Sequence, residues 1–322
     1  MSTGTRSADG HSPDGHSPDG HSPDGHSPEG HSPDGRAPDG RAPGGRAPDG
    51  QAPDGRANGR APDARGRLEA FLTARRDAGH KLLIPYVTGG MDDEWLVTVE
   101  ALAGAGADAI EVGIPFSDPM IDGPTIQEAS LRALGRGATP DGILADLSRI
   151  DVGIPLVAMT YYNLIYRAGH ARIAGLMAES GVAGAIIPDL PLEELDPWSA
   201  AADPAGVATV LLVAPSTPDD RIATICERSR GFVYAVGRMG VTGEQAVLAD
   251  SARDVAGRIT GQTELPVCVG IGVSTPEQAV EVCGVADGVV VGSALVRRLL
   301  EGSGPEGAAA FVSSLRQALD GV

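Results

Sequence analysis

Eight short, β-branched-rich apolar runs, each followed by a longer Ala/Leu-rich amphipathic stretch, constrain this chain more than any other feature. The runs are LLIPYVT (82–88), DAIEVGI (108–114), IPLVAMT (154–160), AGAIIPD (183–189), VATVLLV (207–213), FVYAVG (232–237), PVCVGI (266–271) and DGVVVG (287–292). Helices are expected around 93–105, 124–150, 169–180, 192–204, 218–229, 247–260 and 275–284, with a last region at 293–320. An extra amphipathic helix, 67–78, precedes the first strand. Strands apolar on both faces belong in a parallel sheet covered by helices. Eight such units in about 250 residues predict a closed (β/α)8 TIM barrel. The competing doubly wound sheet calls for G-x-G-x-x-G after the first strand, and Thr88-Gly89-Gly90-Met91-Asp92 lacks that spacing.

Residues 1–66 are different in kind. They repeat a five-residue unit, GHSPD and then GRAPD, and have almost nothing to bury. A disordered tail is expected there, with residues 67–322 forming the barrel domain. His11, His16, His21, His26 and His31 recur at five-residue spacing, which reads either as weak metal capture or as a spacer of turns. Later repeats put Arg in the His position without disturbing the period, which favours the spacer. The net charge is −18, of which the ten acids and seven arginines of residues 1–65 account for −3. A core this acidic lacks the basic footprint of a nucleic-acid binder. Cys226, Cys268 and Cys283 are too few for a disulfide framework and have no metal-ligand spacing. With no signal-peptide pattern and no run of about 18 apolar residues, a soluble cytoplasmic protein without a membrane partner is expected.

Within the second run, Glu111 is a lone carboxylate between Ile110 and Val112, and Asp122 follows a turn-rich loop. Burying an unpaired carboxylate is costly. Alternation along the strand sends Ile110 and Val112 outward to the helices and Ala109, Glu111 and Gly113 into the barrel. Glu111 is thereby expected inside, near the C-terminal end of strand two, where barrel enzymes keep their catalytic groups; a structural carboxylate satisfied by its neighbours is the alternative. Glycine-rich turns follow the last three strands: Gly240-Val241-Thr242-Gly243, Gly270-Ile271-Gly272-Val273-Ser274, and Gly292-Ser293 opening the helix ALVRRLL. Backbone N–H groups at such a helix start, with glycine allowing close approach, predict a phosphate site.

The residue inventory narrows the chemistry. A Schiff-base aldolase needs an interior lysine. Lys81 is the single lysine and stands at the start of strand one, the wrong end of the barrel. The core histidines, His80 and His170, do not make the histidine–carboxylate cluster of a metal-dependent aldolase, so no metal site is expected. Carbon–carbon cleavage here would need a substrate that is its own electron sink, with one carboxylate moving protons and another facing developing positive charge.

The run EVGIPFSDPMIDGPTIQ (111–127) resembles the signature of the tryptophan synthase α subunit family. The resemblance continues in order through IPYVTGG (84–90), MTYYN (159–163), PDLPLEE (188–194), GVTG (240–243), GIGVS (270–274) and VVGSALV (290–296), covering the core and omitting the tail. It implies a lyase that cleaves indole-3-glycerol phosphate to indole and glyceraldehyde 3-phosphate by a retro-aldol reaction in tryptophan biosynthesis. By this similarity Glu111 is the general acid and base, Asp122 the partner of the indole N–H, and Tyr234 the tyrosine beside the carboxylate. Gly243, Gly272, Gly292 and Ser293 match phosphate-binding positions, and Thr242 lies in a loop that closes over substrate. Tyr86 and Tyr161 match positions lining the indole pocket or filling the barrel. Pro115, Asp118 and Pro119 match positions facing a β subunit in an α2β2 tetramer, where pyridoxal phosphate is expected on the β subunit and no cofactor on this chain. The chain departs from the family pattern at Gly237-Arg238-Met239, Ile271 and the Gly-Gly-Met-Asp turn. A stand-alone lyase releasing indole, and a non-catalytic barrel that activates a partner, remain as alternatives.

Overall fold

The computed structural model describes residues 66–237, 253–270 and 272–322; the repeat segment and the turn carrying Thr242 and Gly243 lie outside them. Eight parallel strands close into a barrel in sequence order: β1 (Leu82–Thr88), β2 (Ile110–Gly113), β3 (Leu156–Met159), β4 (Val182–Ile186), β5 (Ala208–Val213), β6 (Val233–Val236), β7 (Val267–Gly270) and β8 (Gly288–Val291). Every apolar run of the sequence supplies one strand, and β8 pairs back onto β1 through Leu82↔Gly288 to Pro85↔Val291. The expected alternation holds. Ala109 joins Leu82, Ile84, Val157, Val210 and Cys268 in the interior core, whereas Ile110 and Val112 pack outward against the helices.

The helices are α1 (Arg67–Asp77), α2 (Trp95–Gly104), α3 (Pro124–Gly135), α4 (Pro140–Leu147), α5 (Tyr162–Ala168), α6 (His170–Glu179), α7 (Asp196–Ala205), α8 (Asp219–Arg228), α9 (described over 253–259), α10 (Pro276–Cys283), α11 (Ser293–Leu300) and α12 (Gly304–Leu319). Two differ from expectation. The stretch 124–150 is two helices, because Gly137 at φ +86 turns the chain and Thr139 caps a new start at Pro140. Residues 162–168 form a short helix where none was expected, ended by Gly169 at φ +85.

Helix α1 closes the barrel floor. Leu68 and Leu72 are fully buried against the interior core. Leu68 Cδ2 lies 2.6 Å from where a Cβ would stand on Gly184 and on Gly231, so both glycines clear its seat. Beside the floor, Asp108 is 1% exposed and accepts from the Leu83 N–H (2.9 Å), Arg75 Nε (2.8 Å) and Arg316 Nη1 (3.2 Å). One buried carboxylate thus ties α1, β1 and α12 together, and its lone pairs are well used.

Candidate active site

The opposite, C-terminal end of the barrel holds a cavity of ≈ 310 Å³. Glu111 reaches it from β2 and Asp122 from the loop before α3, where Gly123 and Pro124 start the helix. Met159, Ile186, Leu212 and Val290 make its apolar walls from β3, β4, β5 and β8. Tyr86 and Tyr234 stand in it as well. Tyr86 is register partner to Glu111, and its hydroxyl occupies the place of a Cβ on Gly113, 1.9 Å from the ideal position. Tyr234 does the same over Gly270, at 2.4 Å. An alanine at either glycine would push a ring out of its berth. Sequence reading treated Gly113 only as inward-facing and Gly270 only as a turn residue.

The two carboxylates are held unequally. Glu111 is 1% exposed, and its Oε2 has no hydrogen-bond partner among the described residues. Burial first, and the nearby Asp122 charge second, push its pKa up from 4.5 to about 8. Burial also raises Asp122, to about 6, an effect opposed by the nearby Tyr161 hydroxyl. Burial raises Tyr86 and Tyr234 still further, so both phenols stay neutral. At neutral pH the site therefore offers one protonated and one ionised carboxyl group, a donor and an anion in one pocket.

Across the cavity stand Gly272, Gly292 and Ser293. Gly272 takes φ +79, a backbone region that L side chains rarely adopt, and Ser293 begins α11 with Gly292 as its N-cap. The helix start presents free N–H groups and the positive end of its dipole to an anion. Thr242 and Gly243 lie outside the described residues, as do Arg238, Met239 and Ile271. Tyr161, expected on the pocket wall or in the barrel filling, does not line the cavity. Pro115, Asp118 and Pro119 lie away from it on the β2–α3 loop, with Asp118 exposed and Pro115 buried. The apolar walls at Met159, Ile186 and Leu212 were missed in the sequence, although inward alternation at the ends of β3, β4 and β5 marks them.

A closed barrel whose mouth holds a glutamic acid of raised pKa, an aspartate and a helix start in one pocket has the architecture of a TIM-barrel enzyme. The family model described as the tryptophan synthase alpha chain matches residues 72–319, and the chain belongs to that family of lyases. The tryptophan synthase alpha chain of Gloeobacter violaceus is 44% identical over 252 residues, covering 76% of this chain and 90% of that protein. That of Streptomyces avermitilis is 42% identical over 262 residues, covering 79% and 95%. Among solved structures, ligand-free tryptophan synthase from M. tuberculosis aligns with TM-score 0.72 and 36% identity over 79% of this chain and 99% of that one. Tryptophan synthase subunit alpha from Legionella pneumophila aligns at 0.73 and 33%, over 80% and 99%. Among the described residues no helix is long and apolar enough to cross a membrane.

Proposed function

We propose that this pocket carries out the retro-aldol cleavage of indole-3-glycerol phosphate with Glu111 as the single proton carrier. The observation that supports it best is the buried Glu111 carboxyl, whose Oε2 has no partner among the described residues, protonated at neutral pH beside an ionised Asp122. The Glu111 proton goes to indole C3, turning the ring into an iminium-like cation that accepts the bonding electrons. Asp122 faces the indole N–H and holds that positive charge. The Glu111 carboxylate then takes the proton of the C3′ hydroxyl as the C3–C3′ bond breaks. Its electron pair restores the aromatic ring, and C3′ becomes the aldehyde carbon of glyceraldehyde 3-phosphate. Glu111 ends protonated, as it began. The substrate's indole is the electron sink, so the cycle runs without a cofactor on this chain. Tyr86 and Tyr234 flank the carboxyl, and Gly272, Gly292 and Ser293 receive the phosphate.

The β2–α3 loop, with Pro115, Asp118 and Pro119, is assigned to docking a tryptophan synthase β subunit that carries pyridoxal phosphate and consumes the indole. The solved tryptophan synthases that align with the chain support this assembly. Cytoplasmic amino-acid biosynthesis is its expected setting, with residues 67–322 as catalytic domain and 1–66 as an appended tail.

Indole release from indole-3-glycerol phosphate, with and without a β subunit, tests the assignment. Glu111→Gln should fold, bind substrate and lose at least about a thousandfold in turnover, within the range that general acid–base catalysis contributes. Undiminished turnover would end it. The wild-type kcat/KM should be bell-shaped, rising as Asp122 ionises near pH 6 and falling as Glu111 ionises near pH 8. The two values belong to the interacting pair.

A further inference from the structure

One packed core runs through the barrel interior from floor to mouth. It includes Leu68 and Leu72 of α1 and Phe232, one residue before β6. Met159, Leu212 and Tyr234, which line the cavity, pack against it from above. Along the β6 segment, Gly231 meets the floor helix and Tyr234 meets the cavity, with Phe232 between them.

Phe232 is fully buried and does not itself line the cavity. Its backbone is held on both sides. The preceding Gly231 leaves room for Leu68, whose Cδ2 lies 2.6 Å from where a Cβ would stand. The Ser229 hydroxyl donates to Phe232 O (2.9 Å) and accepts the Leu211 N–H of β5 (3.1 Å). Two residues on, strand alternation brings Tyr234 to the same inward face. The two rings have centroids 6.1 Å apart and planes at 32°, inside the range of favourable aromatic pairs. Tyr234 is only partly buried, and it lines the cavity together with Glu111.

We propose that Phe232 is a positioning residue whose ring is the pedestal that holds Tyr234 in the cavity. The proposal rests on the reading of Tyr234 as a member of the catalytic pocket. Close-packed interiors have no spare space, so removing a ring from beneath a neighbour leaves a void that the neighbour can enter. With the pedestal gone, the Tyr234 phenol would settle toward the floor. Its hydroxyl would then leave the space over Gly270, and the wall it gives the cavity would recede. A residue that only filled the core would carry stability without touching turnover.

The test is a double-variant cycle on the full-length chain, read as indole release from indole-3-glycerol phosphate. Phe232→Leu should keep the wild-type circular dichroism and lower the urea midpoint. Its kcat should fall about tenfold, a fraction of what an ångström of misplacement costs, with KM within about threefold. Leu82→Ala is the control. Leu82 is fully buried in the same core, on β1, and separated from β6 by β7 and β8. This variant should lower the urea midpoint and keep the wild-type kcat. In Tyr234→Leu the pedestal has nothing to hold, so adding Phe232→Leu should lower kcat by no more than about twofold further. Losses that multiply in the double variant, a wild-type kcat in Phe232→Leu, or an equal kcat loss in Leu82→Ala each overturn the proposal. Tyr234→Leu alone separates the two levels. If it keeps wild-type turnover, the reading of Tyr234 fails and the pedestal with it; if it is impaired while Phe232→Leu is normal, only the pedestal fails. Should Phe232→Leu not fold, Phe232→Met, which restores more of the volume, takes its place in the cycle with the same outcomes.

Discussion

Glu111 holds its proton at a cost the fold bears. Its folded pKa, about 8, lies above its ordinary 4.5, so between those values the folded chain keeps a proton that the unfolded chain releases. Stability at this site is therefore fully retained below about pH 4.5 and declines as pH rises through the window, by up to about 1.4 kcal/mol per pH unit. Glu111→Gln has no proton to hold. Relative to wild type, its urea midpoint should rise steadily from pH 5 to pH 8; a constant difference would show that the carboxyl is ionised in the fold. Glu111 was legible in the sequence because a charge amid strict apolar alternation has few innocent explanations. Gly113 and Gly270 were not, since what they do is leave room for tyrosines on neighbouring strands, and local sequence does not record a neighbour's ring. Tyr161 shows the same limit: its motif was visible, but its contacts on Phe116 and Ile121 depend on how a loop folds back.

Among the elements, strands were read more accurately than helices. Strand β1 has the boundaries expected from the sequence, because a run buried on both faces ends where its apolar residues end. The 124–150 helix failed because its apolar spacing continues across Gly137, and a glycine alone does not announce a left-handed turn. The least legible element was α1, whose amphipathic pattern gives no sign that it will seal a barrel. Leu68→Ala should cost about 2–5 kcal/mol in urea unfolding, as expected for emptying a fully buried leucine site. Gly231→Ala should also destabilise, since its methyl meets Leu68 and Gly231 sits at φ +83. The double variant should cost measurably less than the sum of the two, because the shortened side chain vacates the space the new methyl needs. Strict additivity would refute the seating of Leu68 between the glycines.

For the whole molecule, the barrel followed from counting: eight strand–helix units of this length admit few other closed arrangements. Charge was less informative about architecture. Ion pairs such as Arg149–Asp146 and Arg172–Asp141 are exposed and contribute little. One buried group among the described residues differs: Asp108 pairs with Arg75 and Arg316, which lie far apart in sequence. The described residues of the site fall between Tyr86 and Ser293, and the sequence of residues 1–65 is almost free of large apolar side chains. A chain beginning at Gly66 should accordingly match the full-length protein in kcat/KM and in urea midpoint. A drop of more than about twofold in either would give the repeats a direct part in catalysis or folding.

Because α1 enters from below and seals the floor, Gly66 leaves the barrel on the face turned away from the catalytic mouth. For anyone immobilising or fusing this enzyme, that fixes the choice of end. A resin, a reporter or a second catalyst joined directly at Gly66 would attach on the floor face, with access to the mouth unobstructed.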